Sequence, residues 1–150
     1  MQGKFRKLVT AILSMLAVIG LSLGLSAPAQ AASYHNLTDP NTTGCASGAY
    51  TIHSKNIYDY NGSVAGYVEL RYSPTCNTNW ARTTSYRGGS FNSFVTLTND
   101  SSQSSQRGAA GPGQWWTLQL YAPGSTCVNY GGAIFEDDNR IYSAGWTTVC

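Results

Sequence analysis

Four side chains on two neighbouring segments could carry out acid–base chemistry. His53 and Lys55 lie in one run of alternating apolar and polar residues, and Glu69 and Arg71 lie in the next. If the runs pair, a general acid, a general base and two cations share one face, as in small secreted ribonucleases. The same residues would also form ordinary cross-strand ion pairs on an exposed face. We favour ion pairing and keep His53, Glu69 and Arg71 as catalytic candidates.

Two aromatic side chains could form a sugar-binding surface. Over residues 115–121, alternation predicts a core face made of Trp116, Leu118 and Leu120. Trp115 and Tyr121 then lie on the polar face beside Thr117 and Gln119. Flat rings stack on pyranose faces, while amides and hydroxyls bind sugar hydroxyls. In the alternative interpretation, the preceding polar segment covers both rings.

Arg71 and Arg82 are the remaining ligand-binding candidates, because they flank a turn at Ser73-Pro74-Thr75. They could hold an anion. They could equally form solvated ion pairs with Glu69 or neighbouring carboxylates, which contribute about 0 to 1 kcal/mol each.

The sequence gives little support for a metal or a cofactor, and we expect neither. It has no Cys-x-x-Cys, and its two histidines do not complete a zinc spacing. Residues 136–139, Glu-Asp-Asp-Asn, lack the spaced oxygen ligands of a calcium loop and are predicted to form a hairpin turn. Nucleophile-elbow, phosphate-loop and Cys/His catalytic signatures do not occur.

A β-hairpin is predicted to position the first group of candidates. An Asn61-Gly62-Ser63 turn separates residues 50–58 from residues 64–72, and both runs alternate. A three-residue loop over 61–63 keeps one face apolar, and it sets Lys55 across from Glu69 and His53 across from Arg71.

The rest of the chain also predicts short strands. Residues 80–86 and 91–98 should pair around Arg87-Gly88-Gly89-Ser90, and residues 99–114 have almost no apolar content, so we expect a flexible loop there. Three more strands are predicted, over residues 115–121, 127–135 and 140–149. About seven short strands indicate an all-β fold, a small disulfide-bonded antiparallel sandwich or barrel.

The first thirty-one residues indicate export. Lys4, Arg6 and Lys7 precede an apolar run over 8–25, and Ala29-Gln30-Ala31 is typical of a signal-peptide cleavage site, after Ala31 or Ala29. We therefore expect a secreted protein with one domain, residues 32–150, and no membrane segment. Removing three of the nine basic residues leaves six against seven carboxylates, a net charge near −1. Such a charge argues against binding to nucleic acid or anionic membranes.

All four cysteines follow the predicted cleavage site, so we expect disulfides. Four cysteines allow three connectivities, and the sequence alone does not choose among them. We prefer Cys45 with Cys76 and Cys127 with Cys150, because each pair then stays on its own side of the 99–114 segment. Trp80 is predicted to pack over the first bridge as a core aromatic.

One stretch resembles a known family. The run over 68–82, Val-Glu-Leu-Arg-Tyr-Ser-Pro-Thr-Cys-Asn-Thr-Asn-Trp-Ala-Arg, follows Asp39-Pro40, Thr43-Gly44-Cys45-Ala46 and Ala49-Tyr50-Thr51-Ile52. Together these elements resemble a bacterial domain of unknown function, found in small secreted proteins of Gram-positive bacteria and at the extracytoplasmic ends of some actinobacterial regulators. The resemblance covers about residues 39–100. It implies a Cys45–Cys76 bridge, a β-rich fold and bacterial export, and it implies no activity.

The sequence thus predicts an exported, monomeric binding module without chemistry of its own, whose partner is a cell-wall or extracellular polysaccharide or another secreted protein. A small ribonuclease and an inhibitor of a secreted enzyme are the alternatives. A cleft lined by His53 and Glu69 would favour the ribonuclease, an exposed platform of Trp115 and Tyr121 the binding module, and a protruding rigid loop the inhibitor.

Overall fold

Ten short β-strands form most of the regular structure of the described residues. The computed structural model describes residues 33–88, 90–97, 103–107 and 112–150, with the backbone alone over 90–97 and 103–107. The predicted signal peptide lies outside these residues. The strands are β1 Tyr50–Tyr58, β2 Val64–Ser73, β3 Thr78–Ser85, β4 Ser90–Leu97, β5 Gln103–Arg107, β6 Gly113–Trp116, β7 Leu120–Tyr121, β8 Val128–Phe135, β9 Ile141–Ser143 and β10 Thr147–Val149.

The strands form two antiparallel five-stranded sheets. In the first sheet the order is β1-β2-β3-β6, and β7 also pairs with β3. In the second it is β10-β8-β4-β5, and β9 also pairs with β8. The only helix among the described residues is one turn of 3-10 helix, Ser33–His35, which precedes β1. The all-β, antiparallel prediction is confirmed, and none of the described helices is long and apolar enough to cross a bilayer.

The predicted first hairpin is present, but its predicted register is wrong. Ser54, not Lys55, lies opposite Glu69, and His53 lies opposite Leu70. The loop has five residues, because the Asp59 carboxylate accepts hydrogen bonds from the backbone N–H groups of Asn61 and Ser63, at 2.9 and 2.8 Å. Register irregularities near both ends of β1 shift the pairing further.

The predicted pairing of residues 80–86 with 91–98 is also wrong. β3 pairs with β2, β6 and β7 in the first sheet, whereas β4 pairs with β5 and β8 in the second. Residues 86–88 therefore carry the chain from one sheet to the other. Turn composition does not distinguish a hairpin from a crossover between sheets, so the glycine-rich segment predicts a hairpin that the structure does not form.

Three other predicted segments are divided differently. Part of the predicted 99–114 loop is strand: Gln103–Arg107 pairs with β4, and β6 begins at Gly113, while residues 98–102 and 108–111 lie outside the described part. Backbone pairing needs no apolar side chains, so composition gave no sign of β5. Residues 115–121 are split between β6 and β7, and residues 140–149 between β9 and β10.

The core lies between the sheets and depends on close approach. Its larger buried cluster draws Val68, Leu70, Ala81 and Leu120 from the first sheet and Val128 and Tyr130 from the second. A Cβ atom added at Gly132 of β8 would lie 2.5 Å from Thr83 Oγ1 and 2.8 Å from Val68 Cβ. Glycine is therefore required here for the sheets to pack at this distance.

Disulfides tie down two irregular parts. Cys45 is bonded to Cys76, which joins the segment before β1 to the β2–β3 turn, and Cys127 is bonded to Cys150, which joins the start of β8 to the end of β10. This is the preferred pairing of the three that the sequence allowed. Trp80 is buried on the strand that follows Cys76.

Candidate functional site

Glu69 is the centre of a polar network on the outer face of the first sheet. Its buried carboxylate pairs with the Arg82 guanidinium at 2.8 Å and accepts a hydrogen bond from Thr51 Oγ1 at 2.6 Å. Arg71 donates to Thr51 Oγ1 at 2.8 Å and to the Ala49 carbonyl oxygen at 2.6 Å. Burial lowers the pKa of Arg71, and Arg82 lowers it further, while Glu69 raises it. Arg82 is thus held in an ion pair with Glu69, and Arg71 is held by hydrogen bonds to a hydroxyl and a backbone carbonyl oxygen.

His53 and Lys55 lie on the other face of the same sheet. Directly opposed residues in an antiparallel pair share a face, so His53 lies with Leu70, and Glu69 faces the opposite side. His53 Nδ1 hydrogen-bonds the hydroxyl of Tyr130, and Lys55 Nζ donates to the carbonyl oxygen of Ala144. The expected constellation of His53, Lys55, Glu69 and Arg71 on one face is therefore not formed.

Tyr130 anchors His53 from the second sheet. Its side chain is fully buried in the core, and burial raises its pKa to about 12. Burial thus disfavours loss of the phenol proton, and the hydrogen bond between Tyr130 and His53 links the two sheets.

Trp115 and Tyr121 do not form the expected platform. Trp115 pairs with Thr83 and Tyr121 pairs with Thr78, two β3 residues that face opposite sides because an odd number of positions separates them. The register shifts by one between β6 and β7, where Thr117 Oγ1 accepts the Ala81 N–H at 3.1 Å. The two rings therefore lie on different faces.

Gln119, which was expected on the polar face, is fully buried, as is Thr117. The Gln119 amide accepts a hydrogen bond from Thr78 Oγ1 at 2.7 Å and donates to the hydroxyls of Thr38 and Thr43, each at 2.9 Å. It thereby fixes the segment before β1 against the first sheet. Its role is structural, and alternation could not show it because the covering segment has no strand pattern.

A cleft opens at the end of the sandwich, beside the second disulfide, and we refer to it as the sheet-end cleft. Its volume is about 200 Å³, and its lining combines both sheets with the 122–126 turn: Ile52, Tyr72, Asn79, Ala122, Gly124, Thr126, Val128, Val149 and Cys150. The Tyr50 ring packs edge-on against Tyr72, with 5.8 Å between the ring centroids. Both Tyr50 and Ile52 are exposed at the rim.

The sheet-end cleft is not evident from the sequence, for identifiable reasons. Asn79 lies on β3, but the strand was predicted to begin at Trp80. Ile52 lies at the irregularity between Thr51 and His53, which strict alternation cannot reveal. The Cys127–Cys150 pairing was the available signal, because it brings the start of β8 and the end of β10 to the same place.

A larger cavity of about 300 Å³ lies at the β8–β9 turn, and three of its four charged side chains are paired with one another. It is lined by Gly88, Glu136, Asp137, Asp138 and Arg140. Arg140 pairs with Glu136 at 2.7 Å and with Asp138 at 2.5 Å. The Asn139 N–H donates to the Glu136 carbonyl oxygen at 3.1 Å, so the predicted hairpin turn is confirmed. The lining of this cavity is charged, whereas the side chains that line the sheet-end cleft are uncharged.

The two packed sheets and the two disulfides define the class of the protein, a small disulfide-bonded β-sandwich. Residues 33–144 match the family described as "Protein of unknown function (DUF2690)", and the chain belongs to that family. It is also 35% identical over 80 residues to the uncharacterized protein YjfA of Bacillus subtilis (strain 168). That match covers 53% of this chain and 51% of the relative, so the chain spans about half the length of the curated protein. No solved structure matches the chain.

Proposed function

We propose that this protein is an exported binding module that holds a sugar unit of an envelope polysaccharide in its sheet-end cleft. The observation that carries the proposal is the lining of that cleft. It combines aromatic and aliphatic side chains with an amide and a hydroxyl, and none of the described residues that line it has a charged side chain. Neutral rings with many hydroxyls are the ligands that such a surface suits.

The dimensions of the cleft favour one ring over a large ligand. Its volume of about 200 Å³ is below the ~300 to 1,000 Å³ of typical drug-sized pockets. Tyr50 and Ile52 at the rim offer apolar contact to a sugar face. Inside, Asn79 and Thr126 each donate a hydrogen bond to a backbone carbonyl oxygen, at 3.2 and 2.8 Å, and offer their side-chain oxygens as acceptors to sugar hydroxyls. Further units of the polymer would extend outward, past Tyr50.

Export is supported by two independent features. The sequence predicts a signal peptide, which supports export, and two disulfides are consistent with an oxidising compartment. The geometry gives less support to a ribonuclease, because His53 and Glu69 face opposite sides of the sheet. An inhibitor would need a protruding rigid loop, and the candidate is the Asp59–Ser63 loop, which hydrogen bonds to the Asp59 carboxylate hold in place. Its exposed Tyr60, however, packs against Tyr142 of β9, with ring centroids 5.1 Å apart.

Retention on insoluble peptidoglycan and on purified wall polysaccharide tests the proposal. Tyr50→Ala and Ile52→Ala should each reduce the bound fraction, because they remove the apolar rim. Tyr58→Ala is the matched control, since Tyr58 lies on the same strand and is 53% exposed against 51% for Tyr50. Equal retention of all three variants, or no retention of the unsubstituted protein on either polymer, would exclude this function.

A further inference from the structure

His35 lies beside the Cys45–Cys76 disulfide. One ring nitrogen of His35 and the two sulfur atoms all lie within 4.8 Å of one another. The three residues come from separate parts of the chain: the 3-10 turn Ser33–His35, the loop before β1 and the β2–β3 turn. The fold therefore brings the three residues together, and their spacing in the sequence does not predict it.

The His35 ring has an unused nitrogen. Its Nδ1 atom is buried and has no hydrogen-bond partner among the described residues. Buried polar atoms are nearly always paired, and an exception requires an explanation. The position of the residue is fixed independently, because Thr38 Oγ1 donates to the His35 carbonyl oxygen at 2.6 Å. Neutral imidazole nitrogen together with thiolate sulfur is a preferred ligand combination for Zn²⁺.

We propose that His35, Cys45 and Cys76 form a redox-gated site for a thiophilic divalent cation such as Zn²⁺. The site is closed while the sulfurs are bonded to each other and opens when the disulfide is reduced. Three protein ligands then leave a fourth position for water. This inference is independent of the proposed sugar-binding function, because the residues involved do not line the sheet-end cleft.

The chemistry balances with a dithiol as reductant. The dithiol passes two electrons and two protons to the Cys45–Cys76 bond and becomes a cyclic disulfide, leaving two protein thiols. Cation binding then displaces one proton from each thiol, and neutral His35 contributes its nitrogen lone pair without losing a proton. Oxidation of the two thiolates would release the cation, so the disulfide and the metal are mutually exclusive.

The chain provides matched controls for both ligand types. Cys127 and Cys150 form a second disulfide, around which the described residues provide no such group of ligands. His53 is the other histidine of the chain. A Cys127→Ser/Cys150→Ser variant retains the proposed ligands, and a Cys45→Ser/Cys76→Ser variant retains only the control pair.

Titration with Co²⁺ tests the site, because tetrahedral thiolate coordination gives this ion visible absorption bands. Each variant is reduced with a dithiol, freed of it under anaerobic conditions and titrated with Co²⁺, and Zn²⁺ then competes. The Cys127→Ser/Cys150→Ser protein should bind one Co²⁺ with tetrahedral bands when reduced and none when oxidised. Adding His35→Ala should weaken binding by at least about tenfold, whereas adding His53→Ala should change nothing.

The decisive comparison is between the two histidine variants. Equal Co²⁺ affinity and spectra with and without His35 would overturn the proposal, as would equal binding by the Cys45→Ser/Cys76→Ser protein. Near-UV circular dichroism covers the case in which the reduced chain loses its fold. Recovery of that signal on adding Co²⁺ should then require His35, and recovery without His35 would also overturn the proposal.

Discussion

Individual residues matter here mainly through the partners that the fold gives them. An ion pair with Glu69 was one of two interpretations of Arg82, beside an anion site, and the structure shows the ion pair. His53 was grouped with Glu69, but its side chain contacts Tyr130 on the facing sheet. Residue type was therefore a sound guide to the ion pair, whereas grouping His53 depended on a register that the sequence did not fix.

Replacing Glu69 by Gln should lower stability without affecting any catalysis. The substitution removes the negative charge between Arg71 and Arg82 and weakens two hydrogen bonds, with an expected cost of about 1 to 3 kcal/mol. Urea unfolding measures the change, and Asp137→Asn in the exposed turn should remain within about 0.5 kcal/mol. If Glu69→Gln instead removed an RNA-cleaving activity of the intact protein, the ribonuclease alternative would be correct.

Tyr130 should make the protein sensitive to alkaline pH. The pKa of Tyr130 is about 12 in the folded protein and about 10 in the unfolded chain. The contribution of the protonated phenol to the free energy of unfolding is therefore complete below pH ~10 and is lost as the pH rises to ~12. The loss should reach about 3 kcal/mol. Tyr130→Phe should unfold less steeply over this window than the unsubstituted protein, with exposed Tyr34→Phe as control. Identical pH dependence of all three proteins would contradict the assigned burial effect.

At the scale of elements, most strands were predictable, with β5 as an exception, and the pairing between strands was not. Alternation and the Asn-Gly pair located β1 and β2 almost to the residue. The predicted register of the first hairpin was wrong because Asp59 closes a longer loop. The predicted common face of Trp115 and Tyr121 was wrong because the strand pairing shifts by one residue at Thr117. A one-residue shift reverses every later side chain, so small local irregularities erase a predicted site.

Gly132→Ala should be distinctly destabilising. The added methyl group would lie 2.5 Å from Thr83 Oγ1 and 2.8 Å from Val68 Cβ, and neither sheet can withdraw without loosening the core. We expect a loss of about 1 to 3 kcal/mol, measured by thermal or urea unfolding. Gly88→Ala is the control, because nothing lies within 4 Å of its added Cβ. Equal stability of the two variants would contradict the close packing between the sheets.

For the whole molecule, the strand patterns predicted the all-β class, and the placement of the cysteines predicted the two bridges. The preferred disulfide pairing followed from keeping each bridge on one side of the 99–114 segment, and it matches the structure. Which strand belongs to which sheet depends on contacts between distant parts of the chain, such as β8 with β4. The sheet-end cleft arises from those contacts, so no local pattern predicted it.

Titration of the isotopically labelled protein with a soluble fragment of envelope polysaccharide, followed by NMR, tests the proposed function most directly. The backbone amide signals of Ile52, Asn79 and Thr126 should shift in a saturable manner, because these residues line the sheet-end cleft. The signals of Trp115 and Tyr121 should remain in place. Saturable shifts at Trp115 and Tyr121 with an unchanged cleft would contradict the proposed site, and no shifts with any fragment would contradict sugar binding itself.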